Sequence, residues 1–381
     1  MRVSEGGIEL DVPAESTEGV EAPVFYNPGQ ELNRDLTIAL LRTFREERES
    51  RARTYLDAMT ASGVRGIRAA ADGWEATGVD RDERAVSLAR ENASRNGVEE
   101  SFSVVREDAN AFMYGCGRDM DSALDVIDLD PYGTPMPFAD AAFANARNLV
   151  CVTATDTAPL CGAHLQSGIR SYSAVPRNTE YHAEMGVRTL LSALARTAAR
   201  YDVGVTPLCT YARNHYVRTF LELDHRASAA DSTLDALGFL DHCEDCLFRT
   251  ATRGLIADPV EQCPICGGKR VLTAGPLWLD SYRDREFVRS VRDRIPESFG
   301  TAERARDLCE TVAGELDVPH HYDQHRLCKE WSLPANAMDD FLATLRAAGY
   351  EATPAHYGGT TFKTDADVSE IRAATADALG S

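Results

Sequence analysis

Short apolar runs alternate with amphipathic stretches over the first part of the chain, from residue 53 to residue 155. The strand-like runs cover residues 55–59, 76–80, 102–107, 124–130 and 149–155, and the run before Asp130 contains the β-branched pair Val126 and Ile127. Residues 64–72 and 82–96 carry apolar positions at helical spacing. Strands separated by helices in this way form a parallel sheet with helices on both faces. The pattern predicts a doubly wound, Rossmann-like α/β domain.

A helix is also expected on the N-terminal side of this region, with Asn33, Arg34 and Asp35 as its capping turn. In the second half, residues 179–200 predict a long helix and residues 211–223 are rich in β-forming residues. Residues 334–350 predict a helix, and residues 351–363 a hairpin around two glycines. Helices followed by a hairpin are typical of a winged helix. We therefore expect a separate C-terminal α+β domain with a winged-helix-like end, beginning at residue 241.

Three successive predicted strands end in an acid: Asp57, Asp80 and Asp108, the last followed by Ala109. Because ligands of open parallel sheets bind at the carboxyl ends of the strands, these acids can accept hydrogen bonds from ribose hydroxyls and an adenine amine. The alternative is three solvated strand ends. The turn at residues 57–66 is rich in small residues but is not a Gly-x-Gly-x-x-Gly motif. Asp57 at its mouth disfavours a pyrophosphate and suits a cation, which favours S-adenosyl-L-methionine over a dinucleotide.

A stiff loop follows the strand at residues 124–130. Pro131 fixes its own φ and Gly133 permits a tight turn, so Asp130 and Tyr132 are held at the ligand edge of the sheet. A fixed acceptor beside an aromatic ring suits a planar amine. We expect Asp130 to accept hydrogen bonds from that amine and to act as general base, and Tyr132, with Phe25, to stack on a base. For Phe25 the alternative is a hydrophobic staple at the first helix.

Two Cys-x-x-Cys units, separated by sixteen residues, lie in the second half. Their four thiols belong to Cys243, Cys246, Cys263 and Cys266. Four thiolates form the tetrahedral ligand set that Zn2+ prefers, and a closed four-cysteine zinc site leaves no open position for catalysis. We predict a structural zinc ribbon at residues 243–266. An iron–sulfur centre or free thiols are the alternatives.

The formal charge is −20, and only three of the 40 basic residues are lysines. A composition so acidic and so poor in lysine resembles that of proteins from salt-loving organisms; the alternative is an acidic protein of a mesophile. The acidity does not exclude an RNA substrate. At molar salt the Debye length falls to about 3 Å, so the repulsion between the acidic surface and RNA is screened and local contacts decide binding. The sequence has no apolar run of membrane-spanning length and no secretory signal, so a cytoplasmic protein is expected.

Five segments together resemble the tRNA (guanine-26-N2)-dimethyltransferase family of archaeal type. They cover residues 25–28, 33–35, 57–68, 128–133 and 155–161, and the resemblance extends over nearly the whole chain. It implies transfer of one or two methyl groups from S-adenosyl-L-methionine to N2 of guanine-26. It also implies that cofactor contacts come from Arg34, Arg65, Asp80, Asp108 and Ala109. Tyr132 departs from the pattern, because the family often has Phe there.

These expectations divide the chain by function. Residues 1–240 are predicted to form the catalytic methyltransferase domain with an N-terminal extension, and residues 241–381 the tRNA-binding domain. The expected partner is tRNA, with no membrane and no obligate protein partner. Two alternatives remain open. One is a methyltransferase of the same fold acting on another RNA or DNA exocyclic amine, and the other is a non-enzymatic nucleic-acid-binding protein built from a zinc ribbon and a winged helix.

A helical stripe of arginines lies in the C-terminal part of the chain and consists of Arg285, Arg289 and Arg292. It either binds phosphates or is a solvated face.

Overall fold

The structure, a computed structural model, describes residues 1–13, 24–116, 124–213 and 215–380, without the side chains of residues 377–380. The N-terminal strands β1 (Arg2–Glu5) and β2 (Ile8–Asp11) form an antiparallel hairpin. A 3-10 turn (Pro28–Gln30) leads into helix α1 (Glu31–Glu47). Asn33, Arg34 and Asp35 lie inside this helix, so the expectation that they form its capping turn is wrong. The side-chain cap belongs to the preceding 3-10 turn, where Asn27 accepts a hydrogen bond from the backbone N–H of Gly29.

The largest sheet has seven strands, in the order β5-β4-β3-β6-β7-β9-β8. Those strands are β3 (Thr54–Asp57), β4 (Glu75–Asp80), β5 (Phe102–Arg106), β6 (Leu124–Leu129), β7 (Ala146–Ala154), β8 (Gly204–Arg213) and β9 (Tyr216–Asp224). The pairs β3–β4, β3–β6, β4–β5 and β6–β7 are parallel. Their connections contain α2 (Val64–Ala71), α3 (Glu83–Arg95), α4 (Ala109–Cys116) and α5 (Met136–Asn145). This arrangement confirms the predicted Rossmann-like α/β fold.

The apolar character of the strands explains why the sheet forms here. In β6, Val126, Ile127 and Leu129 are fully buried. A parallel strand covered by helices on both faces must be apolar on both sides, so its sequence is a continuous run without polar alternation. Of the two charged residues of β6, Asp125 is half-buried near the start of the strand, whereas Asp128 is fully buried among the apolar residues.

After β7 the chain continues through α6 (Thr157–Leu160), α7 (Leu165–Tyr172), α8 (His182–Ala199) and α9 (Ala227–Asp235). The strands β10 (Leu237–Cys243), β11 (Arg249–Arg253) and β12 (Val271–Trp278) form an antiparallel ribbon in the order β11-β10-β12. The helices α10 (Arg285–Asp293) and α11 (Ala302–Gly314) follow.

The C-terminal end contains helices and a small antiparallel sheet around one core. Its elements are β13 (Tyr322–Asp323), α12 (Gln324–Trp331), α13 (Met338–Ala347), β14 (Ala352–Pro354), β15 (Thr361–Thr364) and α14 (Val368–Gly380). Leu327, Phe341, Leu345 and Phe362 are buried together there. The hairpin of β14 and β15 follows the two helices, which confirms the winged-helix-like end.

Two compact units contain segments that are not contiguous in sequence. One comprises Met1–Thr153, Arg218–Asp224 and Glu286–Glu310, and the other Ala154–Val217, His225–Arg285 and Thr311–Ser381. These boundaries differ from the expected division at residue 240, and the division by function stays a prediction. Within the part of the chain that the structure describes, no helix has both the length and the apolar character needed to cross a bilayer.

Candidate active site

The turn after β3 folds around the carboxylate of Asp57. Its Oδ2 accepts hydrogen bonds from the Thr60 hydroxyl, at 2.8 Å, and from the backbone N–H of Gly66, at 3.1 Å. Asp57 is buried, whereas the sequence suggested an open position at the mouth of the turn. Burial, reinforced by the charge of Asp128, raises the pKa of Asp57 to about 7. The carboxyl group therefore holds the small-residue turn in shape and titrates near neutrality.

Asp80 connects this turn to the next strand end. Its Oδ2 accepts from the backbone N–H of Ala61 at 3.0 Å, and its Oδ1 from that of Asp82 at 2.9 Å. The side chain is half-buried at the end of β4. Both carboxylate oxygens thus order backbone at the carboxyl edge of the sheet, where ligands of such folds bind.

Asp108 lies at the same edge, because the register of β4 and β5 pairs Asp80 with Arg106. The side chain of Asp108 is exposed, and its Oδ1 accepts from the backbone N–H groups of Asn110 and Ala111. Asp108 therefore caps the first turn of α4, while Ala109 is buried at the start of that helix. The structure places both residues where the sequence predicted them.

Asp130 is held by an arginine of the small-residue turn. The Nε of Arg65 donates to Oδ2 of Asp130 at 2.8 Å, and NH2 of the same guanidinium lies 2.7 Å from that oxygen. The Asp130 side chain keeps 26% of its surface exposed, whereas Arg65 keeps 5%. NH2 is not oriented for a hydrogen bond with Asp130 or with any other described residue. Arg65 therefore fixes one oxygen of Asp130, with Nε as the hydrogen-bond donor and NH2 as a second charged contact.

Beneath this pair lies a second ion pair that sequence reasoning missed. Both oxygens of Asp128 accept from Arg218, each at 2.7 Å, and Oδ2 also accepts from the Tyr55 hydroxyl at 2.8 Å. Burial alone would raise the pKa of Asp128, but the neighbouring guanidinium groups hold it below its ordinary value. The signal was present in the sequence, since an acid inside an apolar parallel strand must find a partner when it is buried.

Arg34 belongs to a buried cluster near the N-terminal hairpin. Its guanidinium contacts both carboxylate oxygens of Glu5 and donates to the backbone carbonyl of Asn27 at 3.1 Å. Glu5 also accepts from Arg68 at 2.8 Å. Arg34 is therefore already well bonded to the protein.

The two aromatic candidates present open ring surfaces. Tyr132 is 93% exposed and Phe25 is 61% exposed. A hydrophobic staple requires a packed side chain, so the exposure of Phe25 argues against that alternative. Both rings are accessible for stacking on a base.

The four predicted zinc ligands converge. Their sulfur atoms all lie within 4.8 Å of one another, and the pairs Cys243–Cys266 and Cys246–Cys263 are separated by 3.6 Å. A tetrahedral zinc site with Zn–S bonds of about 2.3 Å requires sulfur separations of about 3.8 Å. The four thiols therefore fit a structural Zn2+ ion.

The arginine stripe of α10 is largely neutralised. Arg292 contacts Asp293 and Glu310, and Arg285 contacts Asp317 and donates to the carbonyl of Ala313. This pattern favours a salt-bridged, solvated face over a phosphate-binding stripe.

A model of the family described as N2,N2-dimethylguanosine tRNA methyltransferase matches residues 6–376. The tRNA (guanine(26)-N(2))-dimethyltransferase of Haloarcula marismortui is 56% identical over 377 residues, covering 99% of this chain and 100% of that protein. The protein of the same name from Halobacterium salinarum is 57% identical over 376 residues, covering 98% of this chain and 100% of its own length.

A solved structure of Trm1 from Pyrococcus horikoshii in complex with S-adenosyl-L-methionine matches with a TM-score of 0.87 at 31% identity. The match covers 98% of this chain and 99% of that one. The likeness therefore extends over both the sheet that carries the acids and the C-terminal elements.

Proposed function

The chain belongs to the N2,N2-dimethylguanosine tRNA methyltransferase family, and from this premise we propose that it methylates N2 of guanine-26 in tRNA, once or twice, with S-adenosyl-L-methionine as donor. Similarity over nearly the whole chain, at 56% and 57% identity, to relatives named for that activity carries the proposal. The geometry of Asp130 supports it, because a partly exposed carboxylate with one fixed oxygen suits an exocyclic amine. The reaction takes place in the cytoplasm, where tRNA is modified.

S-adenosyl-L-methionine supplies an electrophilic methyl group. Asp80 would accept from its ribose hydroxyls, and the first turn of α4 at Asp108 and Ala109 would receive its adenine. The guanidinium of Arg65, which already pairs with Asp130, would also interact with the carboxylate of the ligand, and Asp57 would hold the turn that receives the ligand in shape. For Arg34 the assignment rests on the family resemblance alone, since Glu5 and Asn27 already hold its guanidinium.

The target base requires a different set of groups. The lone pair of the guanine N2 is delocalised into the ring, so the amine must be oriented and polarised as the methyl group arrives. Asp130 accepts a hydrogen bond from this amine through the oxygen that Arg65 leaves free, and takes the proton released at each transfer. Tyr132, with Phe25, stacks on the base once it has left the RNA helix.

The zinc ribbon acts in the predicted tRNA-binding part of the chain. A closed four-thiolate site has no open coordination position, so the metal stabilises the ribbon and takes no part in methyl transfer. Residues 241–381 then orient the tRNA through the ribbon and the winged-helix-like end.

The decisive experiment incubates the purified protein with isotopically labelled S-adenosyl-L-methionine and a tRNA transcript carrying guanine at position 26. Mass spectrometry of the digested nucleosides should show labelled N2-methylguanosine and N2,N2-dimethylguanosine. A transcript with adenosine at position 26 is the matched control and should remain unlabelled. Label in a different nucleoside, or equal label in the control, would favour another exocyclic amine. Absence of both cofactor binding and transfer would favour the non-enzymatic alternative.

A further inference from the structure

Four charged side chains of alternating sign form a row beneath the candidate site. The row runs from Arg218 on β9 to Asp128 on β6, then to Arg65 on α2 and to Asp130 after β6. Arg218 and Asp128 are completely buried, Arg65 is 5% exposed, and only Asp130 reaches the surface, at 26%. The row therefore links the exposed acceptor to a fully buried ion pair.

Arg65 lies between two carboxylates that compete for it. Its nitrogens are 2.7–2.8 Å from Asp130, whereas its NH1 is 3.9 Å from Oδ2 of Asp128. A shift of about 1 Å would bring that second contact to hydrogen-bonding distance. The choice depends on how well Asp128 is satisfied by other donors.

Asp128 is satisfied without Arg65. The two bonds from Arg218 and the one from the Tyr55 hydroxyl supply three donors. The Thr37 hydroxyl oxygen accepts from Arg218 at 3.0 Å and from Arg65 at 3.3 Å, which sets the spacing of the two guanidinium groups.

We propose that Arg218 is a positioning residue for methyl transfer: by saturating Asp128, it leaves Arg65 to hold Oδ2 of Asp130 and so presents the other oxygen to the substrate amine. This inference rests on the proposed function, in which Asp130 is the acceptor. Arg218 touches neither cofactor nor substrate and acts through Arg65.

The first test is Arg218→Met, which removes the charge and keeps an apolar side chain in the buried position. Asp128 then lacks its cation and draws Arg65 away from Asp130. Displacement of a reacting group by about 1 Å can cost roughly 100-fold in rate, so kcat should fall by about that factor. The KM for tRNA should remain within about threefold of wild type, because Tyr132 and Phe25, which are assigned to the target base, stay in place.

Recovery of kcat in a double variant would distinguish a positioning role of Arg218 from a general effect on stability. In the double variant Arg218→Met/Asp128→Asn, position 128 carries no charge to attract Arg65, so kcat should return to within about fivefold of wild type. The matched control is Arg42→Met, which breaks the ion pair with Asp72 in the same unit, away from the row; its kcat should stay at the wild-type value. An unchanged kcat in Arg218→Met, or no recovery in the double variant, would overturn the proposal.

A milder variant covers the case in which Arg218→Met does not fold. Tyr55→Phe removes one donor from Asp128 and keeps the ring, so kcat should fall by about threefold to tenfold; a wild-type kcat would contradict the inference. Crystal structures of the variants add a readout that does not depend on activity. If the structure of Arg218→Met still shows Arg65 bound to Asp130, the inference is overturned. If only Tyr55→Phe folds, the same contact in that variant overturns it. A wild-type protein that fails to methylate guanine-26 would instead overturn the proposed function.

Discussion

At the scale of single residues, the acids of the site differ in the partners that hold them. Asp57 is buried within its own turn, Asp80 orders backbone with both oxygens, and Asp130 has one oxygen fixed by an arginine. Each replacement should therefore fail in a different way, which makes the assigned roles separable by experiment.

Asp57→Asn should show a pH-dependent gain in stability. The pKa of Asp57 is raised from 3.8 to about 7, so between these values the folded state retains a proton that the unfolded state has released. The stability contributed by this group is greatest below pH 4, falls as the pH rises to about 7, and is constant above that. Asparagine carries no such proton, so the melting temperature of the variant relative to wild type should rise between pH 4 and pH 8. A difference independent of pH would contradict the assignment.

Asp80→Ala should weaken binding of S-adenosyl-L-methionine. A hydrogen bond between a carboxylate and ribose contributes about 1.5 to 3 kcal/mol, which corresponds to roughly 10-fold to 150-fold in Kd. Isothermal titration calorimetry measures this directly. Asp82→Ala, at the half-buried N-cap of α3, is the matched control and should bind the cofactor normally. Equal affinities in the two variants would remove Asp80 from the cofactor site.

Asp130→Ala should abolish turnover while sparing the cofactor. Loss of an acceptor that acts in the transition state costs about 3 to 4 kcal/mol, by analogy with oxyanion-hole donors, or a factor of several hundred in kcat. Single-turnover methylation of tRNA measures the rate, and calorimetry should show cofactor affinity within a small factor of wild type. Retention of near-normal turnover would exclude Asp130 from the mechanism.

At the scale of elements, the zinc ribbon depends on a local sequence motif. The two Cys-x-x-Cys turns bring four sulfur atoms together, one at the end of β10 and three on the segments that join β10 to β11 and β11 to β12. Helix α1, in contrast, does not begin where its local sequence motif predicts. The run of residues 33–35 resembles a cap, but the helix begins before it, because a 3-10 turn capped by Asn27 initiates it earlier.

Replacing any one zinc ligand, for example Cys246→Ser, should release the metal and loosen residues 240–275, because metal binding is coupled to local folding. Cofactor binding should survive, since the acids that form that site require no metal, while tRNA methylation should fall. Elemental analysis, hydrogen exchange and calorimetry measure the three effects. Cys116→Ser, outside the cluster, should retain its zinc. Zinc-free wild type, or a ligand variant that loses cofactor binding as completely as activity, would refute this separation of roles.

At the scale of the whole molecule, the net charge of −20 opposes compaction. Salt screens the repulsion between exposed acids, since the Debye length falls from about 10 Å at 0.1 M to about 3 Å at 1 M. Buried pairs such as Arg218–Asp128 are screened much less.

The unfolding temperature should consequently rise between 0.1 M and 2 M KCl. Differential scanning calorimetry tests this, with a neutral osmolyte at matched osmolality as the control for solvent effects other than screening. We expect KCl to raise the temperature more than the osmolyte does. Equal shifts, or none with salt, would show that charge repulsion does not limit stability.

The sequence by itself determined the alternation of strands and helices, the acids at the strand ends and the four zinc ligands. Hydrophobic periodicity, turn chemistry and Cys-x-x-Cys spacing are properties of short segments, so they can be interpreted without knowledge of the rest of the chain. For this reason Asp80, Asp108 and the cysteines lie where the sequence predicted them.

Only the tertiary structure decided which partners the buried charges have. Arg218 meets Asp128 across 90 residues of sequence, and Lys363 meets Glu184 across 179, both pairs fully buried. No local pattern identifies such pairs, because the order of strands and the packing of helices bring the residues together. A charge removed from water must be paired by whatever cation or anion the fold places beside it. The burial of Asp57 and the hold of Arg65 on Asp130 follow from that same packing.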